Sequence, residues 1–222
     1  MKTDKNVGRV VGGLLLVQMA VLTAGFMVLK PGLVVDYLPV AAEADTAVRT
    51  AMLLLLGAGG IALAISALAF PVLSKYSLPT AVVLAALGVV WIMTQAVDNV
   101  HINSMLSLSQ RYLADAGANP ELYKLLAAEV RATRGAAHYT LLLAIDVWFA
   151  VFYAALFWFR LVPRPVAAVG LAAIGLHIIG IPMSFFVGYP IIWSVAYGIA
   201  ISYLLVGGWL VVRGFAEPDP GD

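Results

Sequence analysis

The sequence has 222 residues, of which 63% are hydrophobic and 11% charged, with a mean hydropathy of +0.98 and no cysteine. A soluble domain is about 45–50% apolar and about 25% charged, so a water-soluble fold could not bury this much apolar surface. The net charge of +1 excludes a strongly basic nucleic-acid-binding face, and the lack of cysteine excludes disulfides and thiolate metal sites. The composition indicates an integral membrane protein embedded in the lipid bilayer.

Six apolar runs follow one another along the chain, each about 20 residues or longer, the length needed to cross roughly 30 Å of hydrocarbon. They occupy residues 10–29, 51–73, 80–100, 136–159, 166–187 and 191–212. Most of the connections contain Lys, Ser, Gly or Pro, which favour turns. The sequence therefore predicts an all-α, polytopic bundle of six transmembrane helices, formed as a single domain by residues 1–222.

Basic residues near the ends of the runs predict the orientation, because Lys and Arg in short loops stay on the cytoplasmic side. Short segments on one side carry seven of them: Lys2, Lys5, Arg9, Lys75, Arg160, Arg164 and Arg213. On the other side most basic residues lie in one longer loop and are mixed with acids. Both termini are therefore predicted to be cytoplasmic, with a short acidic tail at 216–222.

The loop between the third and fourth runs is the only sizeable segment predicted outside the membrane. Asn119, Pro120 and Glu121 resemble an N-cap, a first-turn proline and an acid that complements the helix dipole. We expect a helix over 119–134 that ends before Gly135 and lies on the outer membrane surface or caps the bundle. A helix that binds a partner protein is the alternative.

Ionisable side chains inside the apolar runs are the main functional candidates, because each costs several kcal/mol in lipid unless it is paired or faces water. Uncharged polar or aromatic neighbours extend the set. The candidate ligand-binding residues are Asp98, His101, His138, Asp146, His177, Tyr139, Gln95 and Asn99.

Their depths divide these residues into two levels. At 1.5 Å per residue, Asp146 lies about 15 Å below the outer boundary and His177 about 16 Å from the inner one, so both are near the midplane. Their helices are joined by a short turn and should be antiparallel neighbours, which predicts a buried Asp146–His177 pair. Asp98, His101 and His138 are predicted to lie together near the outer boundary, and the polar faces converge on a pocket that opens outward.

Several chemistries fit this pocket. Asp98, His101 and His138 offer three ligands for zinc or iron, with a fourth position left for water. Two of the three histidines could instead ligate a haem, enclosed by the aromatic residues Trp91, Trp148, Phe152 and Phe185. Asp146 and His177 could relay protons or recognise a polar headgroup. The structural alternative is an ion pair at the midplane and interfacial residues at the ends of the spans.

Three segments resemble a known family. Residues 70–77, residues 161–165 followed by Gly170 and Leu171, and residues 209–215 are similar to the inner-loop and C-terminal signatures of the integral membrane domain-of-unknown-function family 4386. The resemblance implies a six-helix protein of the bacterial inner membrane and implies no activity. The family pattern has an arginine and an acid in the third span, a region that is apolar here. It also has an acid in the sixth span, near the position of Tyr203.

These observations predict a membrane protein that binds a small polar or amphipathic ligand such as a lipid, with transport of that ligand as an extension of the same hypothesis. A membrane-embedded metal- or haem-dependent enzyme that uses His101, His138 and His177 is the alternative. A structural subunit without a ligand is the third hypothesis.

Overall fold

The protein is described from a computed structural model, which covers residues 4–115, 119–187 and 193–216. Its elements are α1 (Asp4–Leu29), a 3₁₀ turn (Lys30–Leu33), α2 (Asp45–Leu73), α3 (Leu78–Ala114), α4 (Pro120–Trp158), α5 (Arg164–Val187) and α6 (Trp193–Arg213). No strand occurs in these three ranges. The prediction of an all-helical fold is confirmed.

Five helices are long and apolar enough to cross a membrane. They are α1 to α4 and the part of α5 over Arg164–Met183, with mean hydropathies of 2.0 to 2.3 in their most apolar windows. The part of α6 over Tyr197–Arg213 is a shorter apolar helix. The protein is therefore a multi-pass membrane protein in composition and length, and a sixth crossing stays a prediction.

The helices form a ring, because each packs against the next along the chain and α6 returns to α1. Near one end of this ring, the Lys75 ammonium after α2 lies 2.7 Å from the Asp4 carboxylate at the start of α1. The backbone N–H of Ala216, after α6, donates to the carbonyl of Leu161 between α4 and α5 (2.9 Å). We call this the terminal end, and the opposite end the hairpin end.

Small residues allow α1 and α6 to approach closely. A Cβ atom added at Gly12 would lie 2.6 Å from the backbone nitrogen of Val211 and 2.7 Å from the carbonyl oxygen of Gly207. No larger side chain fits there unless the helices separate. Gly12 therefore permits the close packing of α1 against α6.

The hairpin end consists of α3 and α4, which are longer than predicted. They contain 37 and 39 residues, or about 55 to 59 Å each. Asn119 caps α4 as expected, since its side chain accepts from the backbone N–H of Leu122 (3.4 Å). However, a separate helix that ends before Gly135 is wrong, because Gly135 lies inside α4. A single glycine costs a helix only about 1 kcal/mol relative to alanine, which packing against α3 offsets.

The segment between α1 and α2 packs against this hairpin. The Ser109 hydroxyl on α3 donates to the Leu38 carbonyl (2.6 Å) and accepts from the backbone N–H of Ala42 (2.8 Å). The Tyr37 hydroxyl lies 3.5 Å from the Ala127 carbonyl on α4. Burial raises the pKa of Tyr37 to about 12, so its hydroxyl stays protonated in this contact.

Aromatic side chains fill the core towards the terminal end. Trp148 of α4 stacks on Phe152 with 5.2 Å between ring centroids and meets Trp91 of α3 edge-on at 5.4 Å. Its indole N–H donates to the Ser66 hydroxyl of α2 (2.8 Å). Phe149 contacts Tyr203 of α6 at 5.0 Å. α4 therefore joins α2, α3 and α6 through buried rings.

Candidate functional site

Asp146 of α4 and His177 of α5 form a buried pair. The His177 Nδ1 atom lies 2.8 Å and 2.7 Å from the two carboxylate oxygens of Asp146. Asp146 is 0% exposed and His177 6% exposed. Counting from the terminal end, they lie about 18 Å along α4 and about 20 Å along α5, which is why two antiparallel neighbours bring them together. The predicted pair is confirmed.

The geometry of this pair defines what His177 can offer. Nδ1–H donates to the carboxylate, which fixes the ring and leaves Nε2 as the second functional atom. Within the described ranges, Nε2 has no hydrogen-bond partner. A neutral His177 presents Nε2 as an acceptor for a hydroxyl or amine, and a protonated His177 presents it as a donor for a phosphate or carbonyl oxygen.

A second cluster surrounds Asp98, which is 1% exposed. The Arg134 guanidinium lies 3.2 Å (Nε to Oδ1) and 3.4 Å (Nη2 to Oδ2) from its carboxylate. The first of these contacts is an ion pair without hydrogen-bond alignment. The His138 Nδ1 atom lies 3.5 Å from Oδ2 of Asp98 and 3.3 Å from Nη2 of Arg134. The cluster is about 12 Å from Asp146 along α4.

The sequence predicted that Asp98 and His138 lie at the same depth, but it did not identify Arg134 as their partner. The sequence predicted Arg134 at the end of a separate helix outside the membrane, whereas it lies in the continuous helix α4, one turn before His138. Two signals could have identified it. Residues four apart share a helix face, and a buried carboxylate at this level needs a cation.

The remaining candidates lie on the same two helices, α3 and α4. The Gln95 amide donates to Asn99 Oδ1 (3.2 Å), and the Asn99 amide donates to the Met52 carbonyl of α2 (2.9 Å). These two side chains therefore tie α3 to α2. His101 and Tyr139 are half-buried. The structure brings Asp98 to His138 and Asp146 to His177, in two separate clusters.

The arrangement does not support the predicted metal set of Asp98, His101 and His138. In the described part of the chain, no three His, Asp or Glu side chains are grouped so that they could hold a metal ion. The physical reason is that Arg134 lies against the Asp98 carboxylate, and a cation there repels a metal ion.

The haem hypothesis also fits poorly. It needs a slot between the aromatic side chains, but Trp148 contacts both Trp91 and Phe152, at centroid distances of 5.4 and 5.2 Å. All three are at most 1% exposed. The side chain of Phe185, the fourth ring of that hypothesis, lies outside the described residues.

Comparison with protein families gives one match, to Domain of unknown function (DUF4386), over residues 10–214. The chain belongs to this family. Comparisons with curated proteins and with solved structures give no match. The DUF4386 match covers the first two segments that carried the resemblance in the sequence, and all of the third except Phe215.

The DUF4386 fold of this chain contains further polar contacts that sequence reasoning did not pair. The Gln18 amide of α1 donates to the Ala58 carbonyl of α2 (2.9 Å), and the Tyr203 hydroxyl of α6 donates to Gln18 Oε1 (3.2 Å). Tyr153 and Ser202 share a hydrogen bond of 2.9 Å between α4 and α6. These contacts satisfy buried polar atoms, and among the described residues none of them involves the Nε2 atom of His177.

Proposed function

We propose that this DUF4386 protein is a six-span protein of the bacterial inner membrane that binds a small polar or amphipathic molecule, such as a lipid, at His177. Residues 1–222 form one transmembrane domain in this proposal, with both termini in the cytoplasm. Transport of the bound molecule is the further step it allows.

The observation that carries the proposal is the Asp146–His177 pair, whose Nε2 atom has no hydrogen-bond partner among the residues that the structure describes. A buried ion pair is often no more stabilising than apolar side chains of similar volume, because both charges lose their hydration. Stability alone therefore gives little reason to place an acid and a histidine at the midplane. A carboxylate that orients an imidazole and leaves its other nitrogen available is an arrangement suited to binding.

The binding test uses the molecule that copurifies with the protein. Native mass spectrometry of protein extracted in a mild detergent should show a bound small molecule, which His177→Ala and Asp146→Asn should both lose. Ser66→Ala is the matched control, because it removes a different buried hydrogen bond, that of Trp148. An empty wild-type protein, or variants that lose none of the species bound to the wild-type protein, would contradict the proposal.

Cysteine labelling tests the proposed orientation, because the wild-type chain contains no cysteine that would react as background. Ala114→Cys introduces a thiol at the exposed hairpin end, and Ala216→Cys introduces one at the exposed terminal end. A membrane-impermeant maleimide added to intact cells should label the first and spare the second. The opposite labelling would place the termini outside.

A further inference from the structure

An open cavity of about 630 Å³ lies at the terminal end, away from the Asp146–His177 pair. It is formed where the α4–α5 connection meets the end of α6. Its lining residues include Arg160, Pro163, Arg164, Trp209, Arg213 and Gly214. Three of these carry guanidinium groups, and no Asp or Glu from the described ranges lines the cavity.

The backbone around this cavity is fixed at several points. Arg160 follows α4 in the left-handed conformation (φ 54°), which reverses the chain. Gly214 ends α6 with a φ of +73°, where a Cβ atom would lie 2.1 Å from the Lys5 carbonyl oxygen of α1. The hydrogen bond from the Ala216 N–H to the Leu161 carbonyl then joins the two segments. The backbone positions from which the arginine side chains extend are therefore fixed.

The cavity lies at the level expected for lipid headgroups. Trp209, in its lining, is 36% exposed, and Trp158, at the end of α4, is 70% exposed. Tryptophan side chains at helix ends mark the interface between hydrocarbon and water. Arg213 is one helical turn beyond Trp209, so it reaches from this interface towards the phosphates.

The charges favour an anion. Arg213 has no acidic partner in the described ranges, and Arg164 lies 5.4 Å from the centroid of the Phe157 ring without a carboxylate. Guanidinium groups bind phosphate oxygens through paired N–H donors. Basic cavities between transmembrane helices are typical sites for phosphorylated headgroups.

We propose that this cavity binds the phosphate of an anionic phospholipid, with Arg164 and Arg213 as its principal contacts. The apolar wall that Trp209 provides favours a phosphate attached to acyl chains over a soluble one. The site is independent of ligand binding at His177.

The test measures lipid binding to the full-length protein in a neutral detergent by native mass spectrometry. Phosphatidylglycerol should bind more tightly than phosphatidylcholine with the same acyl chains. Arg213→Gln should weaken phosphatidylglycerol binding about fivefold, and the Arg164→Gln/Arg213→Gln double variant about 25-fold, with phosphatidylcholine unaffected. Arg111→Gln, which removes an exposed arginine outside this cavity, should keep the wild-type affinity.

Three results would overturn the proposal. The first is an unchanged phosphatidylglycerol affinity in both Arg213→Gln and the double variant. The second is displacement of phosphatidylglycerol by equimolar inorganic phosphate, which would assign the cavity to a soluble anion. The third concerns the acids that follow Ala216, namely Glu217, Asp219 and Asp222. Lipid binding only after all three are changed to their amides would assign the cavity to the chain's own tail.

Discussion

The two polar clusters of the bundle differ in how their charges are balanced. Asp98 faces a permanent cation, Arg134, with His138 beside it. Among the described residues, Asp146 pairs with His177 alone, which can be neutral or charged. The first arrangement neutralises a buried acid, so it serves stability. The second keeps a proton-dependent group whose second ring nitrogen has no partner in the described ranges, which suits an exchangeable ligand.

The largest effect should come from breaking the Asp98 cluster. Arg134→Met leaves the buried Asp98 carboxylate without its permanent cation, so we expect a loss of about 3–5 kcal/mol in the free energy of unfolding. Titration with a denaturing detergent measures this loss. Arg49→Met removes an exposed arginine paired with Asp45 at 2.9 Å and should cost at most about 1 kcal/mol. Equal losses in the two variants would refute a stabilising role for the cluster.

Breaking the midplane pair should have the next largest effect on stability. His177→Ala leaves Asp146 buried without its one hydrogen-bond partner among the described residues, and we expect the free energy of unfolding to fall by about 2–3 kcal/mol. The control is His101→Ala on the half-buried His101, which should change stability by no more than about 0.5 kcal/mol. An unchanged free energy of unfolding in His177→Ala would show that the pair is not needed to stabilise the buried Asp146.

Two adjacent glycines provide a third comparison, which tests helix packing without any change in charge. Gly12→Ala must separate α1 from α6, because the new Cβ would meet two backbone atoms within 2.7 Å, and it should cost about 1–2 kcal/mol. Gly13 has nothing within 4 Å of such a Cβ, so Gly13→Ala should be neutral or stabilising by up to about 1 kcal/mol. Thermal melting in detergent distinguishes the two. Similar melting temperatures would contradict the close approach of these helices.

The smallest effect should come from a single neutral hydrogen bond. Ser66→Ala leaves the Trp148 indole N–H without its acceptor, at an expected cost of about 1 kcal/mol in the free energy of unfolding. Ser104→Ala, whose hydroxyl donates only to Val100 within its own helix, should be neutral. A larger loss for Ser104→Ala would reverse the assignment of these two hydroxyls.

The residues that sequence reasoning paired correctly share one property. Asp146 and His177 lie on helices joined by a short turn, so counting residues from that turn gives both depths, and burial requires a partner. The helical content and the membrane environment followed from apolar runs in the same way. The depth of a residue within its helix and the apolar composition of that helix can both be derived from the sequence alone.

Arg134 could not be assigned by the same counting. Its position depends on whether α4 continues through Gly135, and that depends on α3 being present beside it. Contacts such as Tyr203 with Gln18 depend on how helices distant in sequence are rotated against each other. Such rotations are set by packing in three dimensions, which a single sequence does not encode locally.

The Asp146→Leu/His177→Leu double variant tests most directly whether the Asp146–His177 pair is kept for binding rather than for stability. Its unfolding free energy and its bound small molecule can be measured on the same preparation. We predict a free energy within about 1 kcal/mol of the wild-type value, because apolar side chains replace a buried ion pair at little cost, and complete loss of the molecule. A destabilised double variant that still carries the molecule would contradict the account.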